Sequence, residues 1–469
     1  MAHFSMTLPS LGENVPKTTM NFQGTIAVLL QFGEVDLVRK LAKFFGSTAT
    51  KQEEYGLVSS VFLHLGDYKD AIEFGEKAIS DGDEKFEFMM SQNLYHAYRA
   101  EFCFDKALDI IKKIVEMIPD NYDAKIEYAF CLYDAGKKNE SLEVLYSIKE
   151  NELNDYQRLK YYAACGPHQL RTGDFQNGIK NVIMAQDQIR KIQYNHQYHG
   201  ATELPLTFWQ GTPDCKKLIV YLEAGLGDEI INLRFLKNLK DIGIEAKLYS
   251  IWYEDPQKNN REGIIEFYEK NGFEFIRHFD PEKHKDYQWT YSQYLPILLN
   301  LKENDLWKGP YLKAKKKKLK GKKKIGLRWS GNLIPKHRNF PLKLVYNTLK
   351  DLDANFYSIQ KHVCMEELEE FPEITNLADK LHSLEDMADY INSFDLLITC
   401  PTVSCAIAGA LDKPCVVLTP CSDYYVFNTL NDHTPWFSKK MTLVRQKTPK
   451  EWADVMSDLR KIVKEKLAT

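Results

Sequence analysis

The residues best placed to do chemistry lie in "EAGLGDEIINLRFL", Glu223 to Leu236. Two glycines, Gly225 and Gly227, flank one leucine, and Asp228 and Glu229 follow before an apolar-periodic run begins. Just upstream, "KKLIVYL" reads as a strand. A strand, a glycine-rich turn and a helix together present helix N-terminal N–H groups to an anionic ligand. The two carboxylates at that helix start have two readings. They are acids available for proton transfer, or they serve the helix end as capping groups.

The elements that must position such a turn come from the whole chain. At 469 residues, two or three domains are expected. Hydrophobic residues make up 44% and charged ones 27%, the balance of an ordinary globular protein. A net charge of −3 supplies no global field toward nucleic acid or an anionic membrane. No basic segment followed by an apolar one marks a signal peptide, and no apolar run reaches the roughly 18 residues of a membrane span. Nine cysteines are scattered singly, without a C-x-x-C pair. They read as buried thiols of a cytoplasmic protein, with neither a disulfide framework nor a zinc site.

The first half repeats. "LLQFGEVDLVRKL" and "FLHLGDYKDAIEF" share a core, with Gly33 and Gly66 33 residues apart (66 − 33). Ala71, Ala107, Ser141 and Gly178 continue the series at steps of 36, 34 and 37. Each unit reads as two amphipathic helices joined at a Gly or Asp turn. One such unit cannot bury its own apolar face, so several must stack. This half resembles tetratricopeptide repeats. Gly66, Tyr68, Ala71 and Ala78 match the family's small and aromatic positions, as do Tyr98, Ala107 and Pro119. Leu132, Gly136 and Leu142 match in the third unit, and Leu170, Gly173 and Phe175 in the fourth. Phe102 departs where the family has Gly, and Ser141 and Gly178 where it has Ala.

After Gln193 the periodicity changes to strands alternating with helices, which predicts parallel sheets covered on both faces. Strands are expected at "KKLIVYLE", "IEAKLYSIW", "FEFIRHF", "KIGLRWS", "ANFYSIQ", "FDLLITC" and "KPCVVLTP". Helices are expected from Asp228, near Arg261 to Asn271, and from Leu342, Leu384 and Thr402. The expected fold is thus α + α/β, a helical solenoid followed by two Rossmann-like lobes. The segments are a tail (1–19), repeats (20–193), a connection (194–216), the first lobe (217–312), a lysine-rich linker (313–324), the second lobe (325–448) and a final helix (449–469). Ligands of such lobes bind outside the strand carboxyl ends, so the loops after "YLE", "RWS", "IQ", "TC" and "TP" are the places to look. Nine lysines between 313 and 324 invite a nucleic-acid reading. The absence of interleaved aromatics, which base stacking needs, favours a solvated linker.

Residues 217 to 460 resemble the GT-B glycosyltransferases of the heptosyltransferase-like group. The signposts come in order: "GLGDEI", "PYLKA", "IGLRWSGN" with "KHRNFPL", "LEDMADYINSFDLLIT", "PTVSCAIAGALDKPCVVL", then "SDYYVF", "TPWF" and "LVRQ". The resemblance implies an inverting, metal-independent transfer of sugar from a nucleotide-diphosphate donor, with no further cofactor. It makes Asp228 the general base, with Gly225 and Gly227 admitting acceptor and sugar and Glu229 the weaker candidate. The alternative for Asp228 is the helix N-cap. The resemblance sets Lys336 or Arg338 against the diphosphate, beside Ser330 and Asn332, and Arg338 has the bidentate fork. Thr402 and Val403 open a helix whose N–H groups suit phosphate, and Asp423 and Tyr424 follow the last clear strand near sugar or base. Relatives carry Asp before this Thr and a His within the helix, where this chain has Pro401 and Ala406. The implied partners are a nucleotide sugar and a protein or glycan acceptor. Rival readings are a non-catalytic scaffold and a sugar transferase acting on nucleic acid. In the family the C-terminal helix crosses back to the first lobe.

Overall fold

Gly33, Gly66 and Gly136 each follow a helix in the left-handed conformation, with φ of 75°, 77° and 83°. They punctuate the helix pairs as the repeat spacing requires. In the computed structural model of the chain these pairs are α1 (Lys17–Gln31) with α2 (Val35–Thr48), α3 (Gln52–Leu65) with α4 (Tyr68–Ala78), α5 (Glu84–Ala100) with α6 (Phe104–Met117), and α7 (Tyr122–Asp134) with α8 (Lys138–Tyr146). The structure describes residues 17–79, 84–193, 203–255, 261–331, 338–421, 424–429, 431–448 and 451–468. The chain divides into two compact units, Met1–Leu153 and Asn154–Thr469. In the first, Ala71 and Ala107 are fully buried at the small positions. Ser141 is buried too, and its hydroxyl donates to the Ala129 carbonyl at 2.7 Å. Phe102 takes the left-handed conformation at φ 63°, in a place that suits glycine and costs another residue roughly 1–2 kcal/mol.

The second unit opens with a further helix pair, α9 (Asp155–Thr172) and α10 (Phe175–Gln193). Gly166 and Gly178 explain their contact. A Cβ on Gly178 would lie 2.9 Å from the Leu170 backbone nitrogen, and one on Gly166 would lie 2.8 Å from that of Val182. Gly178 thus departs from the family's Ala because the two backbones meet. Leu170, Phe175, Ile179 and Ile183 share one core with Leu218, Val220 and Leu248 of the first sheet. Asn428 donates to the Pro167 carbonyl at 2.7 Å, Tyr294 to Asp187 at 2.8 Å and Gln176 to the Leu301 carbonyl at 3.0 Å. By its packing this pair is part of the α/β unit, although its periodicity groups it with the repeats.

The first lobe comprises β1 (Lys217–Tyr221), α11 (Leu226–Leu233), α12 (Phe235–Asp241), β2 (Glu245–Tyr249), α13 (Ile264–Lys270), β3 (Gln288–Tyr291) and α14 (Leu295–Leu298). Its sheet is parallel in the order β2-β1-β3, with Tyr221 in register with both Tyr249 and Tyr291. The expected strand "FEFIRHF" shrinks to one bridge, Phe275 to Leu248. Instead β3 takes the place beside β1, on the aromatic run "QWTY".

The second lobe comprises β4 (Lys324–Arg328), α15 (Leu342–Leu349), β5 (Asn355–Ser358), β6 (Thr375–Asn376), α16 (Leu384–Ser393), β7 (Leu396–Thr399), α17 (Val403–Ala410), β8 (Cys415–Thr419), β9 (Met441–Arg445) and α18 (Met456–Ala468). Its order is β6-β5-β4-β7-β8-β9, all parallel. That is the doubly wound order, with its switch point between β4 and β7. Both β6 and β9 add to the strands expected. The C-terminal helix does not cross back: Leu459 and Val463 of α18 are buried in the core of the second sheet, with Ile325, Val345 and Ile398. Among the described residues no helix is long and apolar enough to cross a membrane.

Burying one large apolar side chain stabilises by about 1.5–3 kcal/mol. Four such side chains on α9 and α10 therefore rival the whole stability of a domain, about 5–15 kcal/mol. A chain beginning at Asn154 is expected to unfold cooperatively, and one beginning at Glu203 to be insoluble or to lose its sharp transition. Denaturant melts of the two decide; equal midpoints would contradict the assignment of this helix pair.

Candidate functional site

Each sheet has a switch point, and the chain puts its chemistry there. In the first lobe the crevice opens between the ends of β1 and β3. Glu223, buried just after β1, accepts from the Ser292 N–H at 3.1 Å, the Ser292 hydroxyl at 2.9 Å and the Gln293 N–H at 3.1 Å. This clamps the two strand ends and fixes the start of the turn. Gly225 is the N-cap of α11 and Asp228 sits three residues in, so the N-cap reading of Asp228 is corrected. The N–H of Asp228 donates to the Gly225 carbonyl at 2.9 Å.

The neighbouring acids differ in role. Glu229 is completely buried, pairs with Arg261 at 2.6 Å, and accepts from the Tyr253 and Tyr268 hydroxyls at 2.6 and 3.2 Å. Arg261 in turn stacks over Trp252, 4.7 Å from the ring centre. Every oxygen of Glu229 is occupied, so it anchors α11 to α13. Asp228 is half-buried and reaches the other lobe, where the Tyr424 hydroxyl donates to its Oδ1. Burial pushes the Asp228 carboxyl up to about 6, and Glu223 and Glu229 push the same way while the Tyr424 hydrogen bond opposes them. Burial and the Asp228 charge push the Tyr424 phenol well above its usual value.

The second lobe brings cations and N–H donors to the switch point. Arg328 ends β4; its Nε lies 3.5 Å from the Ser330 carbonyl and its guanidinium 3.6 Å from Met387 Sδ. Among the described residues no carboxylate forms a salt bridge with it. Burial lowers its pKa, and the nearby Arg338 charge adds to that. Arg338 lies over Gly331, where a Cβ would come within 2.7 Å of its guanidinium, and it approaches the Pro401 carbonyl at 3.5 Å. Ser330 is fully buried; its N–H donates to Gln360 at 3.0 Å, a structural role. Thr402 is the N-cap of α17 without a capping bond of its own. Its hydroxyl bonds Ser404 at 2.7 Å, and Ser404 bonds Thr399 at 2.8 Å. Val403 begins the helix, and a Cβ on Gly227 would stand 3.7 Å from its Cα. The N-termini of α11 and α17 therefore face each other.

The structure thus brings together Gly225, Gly227, Asp228, Thr402 and Val403, with Arg338 beside Pro401 on the α17 side. Asn332, Lys336 and Asp423 lie outside the described residues. Sequence reasoning missed Arg328, Glu223 and the partnership of Tyr424 with Asp228. Arg328 had a signal: it is a charge inside the otherwise apolar strand "KIGLRWS". The Tyr424 contact had none, because 196 residues separate the partners.

The site therefore lies between the carboxyl ends of two parallel sheets, and the chain joins helical repeats to a unit of two Rossmann-like lobes. Residues 98–161 match the tetratricopeptide repeat family. Among solved structures, the chain is similar to a MamA RS-1 ArsTM double mutant, at 15% identity and a TM-score of 0.31, covering 38% of this chain and 97% of that one. The chain is also similar to the E. coli heptosyltransferase WaaC with ADP, at 10% identity and a TM-score of 0.35, covering 53% and 99%. A third likeness is to the dodecameric iron-containing heptosyltransferase TibC in complex with ADP-D-beta-D-heptose, at 11% and 0.37, covering 56% and 77%. All three are remote. No curated protein matches the chain.

The raised Asp228 value has a sign for stability. The folded carboxyl holds its proton up to about 6, the unfolded one only to its ordinary 3.8. Its contribution is fully present below the unfolded value and is lost as pH rises through the folded one. Asp228→Asn is therefore expected to raise the melting temperature at pH 7.5 relative to wild type, and to change it little at about pH 4. Thermal melts across that range check this, and an equal shift at both pH values would contradict it.

Proposed function

We propose that the second unit is an inverting, metal-independent glycosyltransferase that uses a nucleotide-diphosphate sugar. The observation that carries this reading is Asp228 facing, across the lobes, the region where the α17 N-terminus and its neighbouring arginines lie. Sugar transfer needs a carboxylate to take the acceptor hydroxyl's proton while an anionic diphosphate departs. Asp228, held near neutrality, suits the first task. Arg328, Arg338 and the N–H groups of α17 suit the second, because fixed donors in a partly dry site stabilise developing charge. Arg338 and Arg328 hold the diphosphate, with Thr402 and Val403 supplying N–H groups. The lost proton resides on Asp228 and the leaving diphosphate keeps the electrons of the broken glycosidic bond. The acceptor is a protein or glycan presented with the help of the repeats.

A non-catalytic scaffold is the second reading, and Pro401 and Ala406 favour it. Ala406 is buried in the core, where relatives carry a histidine. Activity separates the two.

Asp228→Asn keeps the size of the side chain and removes the proton acceptor. Transfer is expected to fall about 10²–10⁴-fold. In the wild type the rate should climb as pH rises through about 6 and then level, since only the ionised carboxylate accepts a proton. A sugar-release assay with purified donor checks both, and an Asn variant at wild-type rate would remove Asp228 from the mechanism. Arg338→Ala is expected to weaken nucleoside diphosphate binding by about 1.5–3 kcal/mol, the worth of a charged hydrogen bond. Titration calorimetry reads this, and an unchanged Kd would reject the role of Arg338.

A further inference from the structure

The lysine-rich segment between the lobes is not loose. The Lys315 N–H donates to Asp389 at 2.7 Å and the Lys317 N–H to the Ser393 hydroxyl at 2.7 Å. Asn392 donates to the Ala314 carbonyl at 2.7 Å, and the Tyr357 hydroxyl to the Lys320 carbonyl at 2.6 Å. The first three bonds lay the segment along α16, and the last ties it to β5. From Lys316 to Lys320 the side chains then alternate as in an extended chain, and the segment bends at Gly321, whose φ is 88°. Lys317 and Leu319 turn inward, Lys317 pairing with Asp389 at 3.2 Å and Asp386 at 3.4 Å. Lys316, Lys318, Lys320 and Lys322 are exposed, and among the described residues none forms a salt bridge. Lys324 pairs with Asp395 at 3.6 Å.

The strip sits at the end of the second lobe away from the proposed site. It leads into the start of β4, whereas Arg328 and Ser330 lie at the other end. Lys413 and Lys440, which precede β8 and β9, stand at the same amino-terminal edge. Burial pushes the Lys413 ammonium below its ordinary value, and the charges of Lys316 and Lys440 push it the same way while Asp395 opposes them. Positive charge is thus concentrated here in a chain whose net charge is −3.

We propose that this strip binds the phosphodiester backbone of a nucleic acid, without reading its sequence. Alternate residues of an extended chain lie about 6.6 Å apart, the scale of neighbouring phosphates along a strand. The segment carries no aromatic side chain, so it offers phosphate contacts and no base stacking. The shape favours a line over a plane. The exposed lysines follow one another along a single run of chain, a row that a strand of phosphates can track.

The test uses the full chain and a fluorescent mixed-sequence DNA duplex, read by anisotropy from 50 to 200 mM salt. Each neutralised phosphate contributes about −0.9 to the slope of log K against log salt. The quadruple variant K316E/K318E/K320E/K322E is expected to lose at least 10-fold in affinity and to flatten the slope by about 3–4. K112E/K113E, which reverses two exposed lysines of α6, is expected to keep both. Circular dichroism melts verify that the variants fold. Equal slopes in wild type and the quadruple variant would overturn the proposal. So would wild-type binding to phosphatidylserine vesicles with none to DNA. Neither result bears on sugar transfer, which is assayed separately.

Discussion

Arg234 is a buried cation with no carboxylate partner among the described residues, and the arrangement of the lobes depends on how it is satisfied. It sits at the break between α11 and α12. Its guanidinium donates to the carbonyls of Ile231 at 2.7 Å, Leu306 at 3.3 Å and Trp436, and to the Tyr311 hydroxyl at 3.0 Å. Phe437, Tyr311, Trp436 and Trp307 surround it, their ring centres 4.6–5.9 Å from its central carbon. Burial lowers its pKa. A bare charge in such a place would cost several kcal/mol, and carbonyls with aromatic faces offset that only when all are in position. Ile231 and Leu306 belong to the first lobe and Trp436 to the second. The cation therefore holds the C-terminal end of α11 against the other lobe, while at the N-terminal end Gly227 lies against Val403.

With α11 fixed at both ends, the separate fates of its two adjacent acids follow. They differ by one residue, about 100° around the helix. Glu229 turns into the lobe and meets a cation and two phenols. Asp228 turns toward the other lobe and meets one phenol with two further carboxylates nearby. The same sequence step that makes one acid structural leaves the other with a proton affinity close to neutrality. The loop bearing Tyr424 is also braced by α9, since Asn428 bonds the Pro167 carbonyl and Arg171 donates to the Thr429 carbonyl. The helix pair next to the repeats thus supports the loop that contacts Asp228.

Much of the fold was legible because its signals are local. Gly33, Gly66 and Gly136 marked the helix ends, and continuous apolar runs such as "DLLIT" and "CVVLT" marked the buried strands. The errors arose where tertiary context decides. "FEFIRHF" and "QWTY" are both aromatic strand candidates, and only tertiary pairing tells that the first makes one bridge to β2 while the second pairs along β1. The position of Asp228 inside α11 rather than at its cap hinges on three residues of helix boundary, which pattern alone does not resolve. The packing of α18 onto the second sheet follows from Leu459 and Val463 finding Ile325 and Ile398, a long-range match that no spacing encodes. The turn at Glu223 to Glu229 was visible as a site, but Tyr424 and Arg328 come from chain segments about 200 and 100 residues away, brought in by the two switch points.

The central claim is that the crevice between the two switch points is built for a nucleoside diphosphate. A thermal-shift panel of ADP, GDP, UDP, CDP and dTDP on the full chain tests it most directly. One of the five is expected to stabilise the protein, by about 2.7 kcal/mol at 100 times its Kd. Failure of all five to move the melting transition at millimolar concentration would contradict the claim.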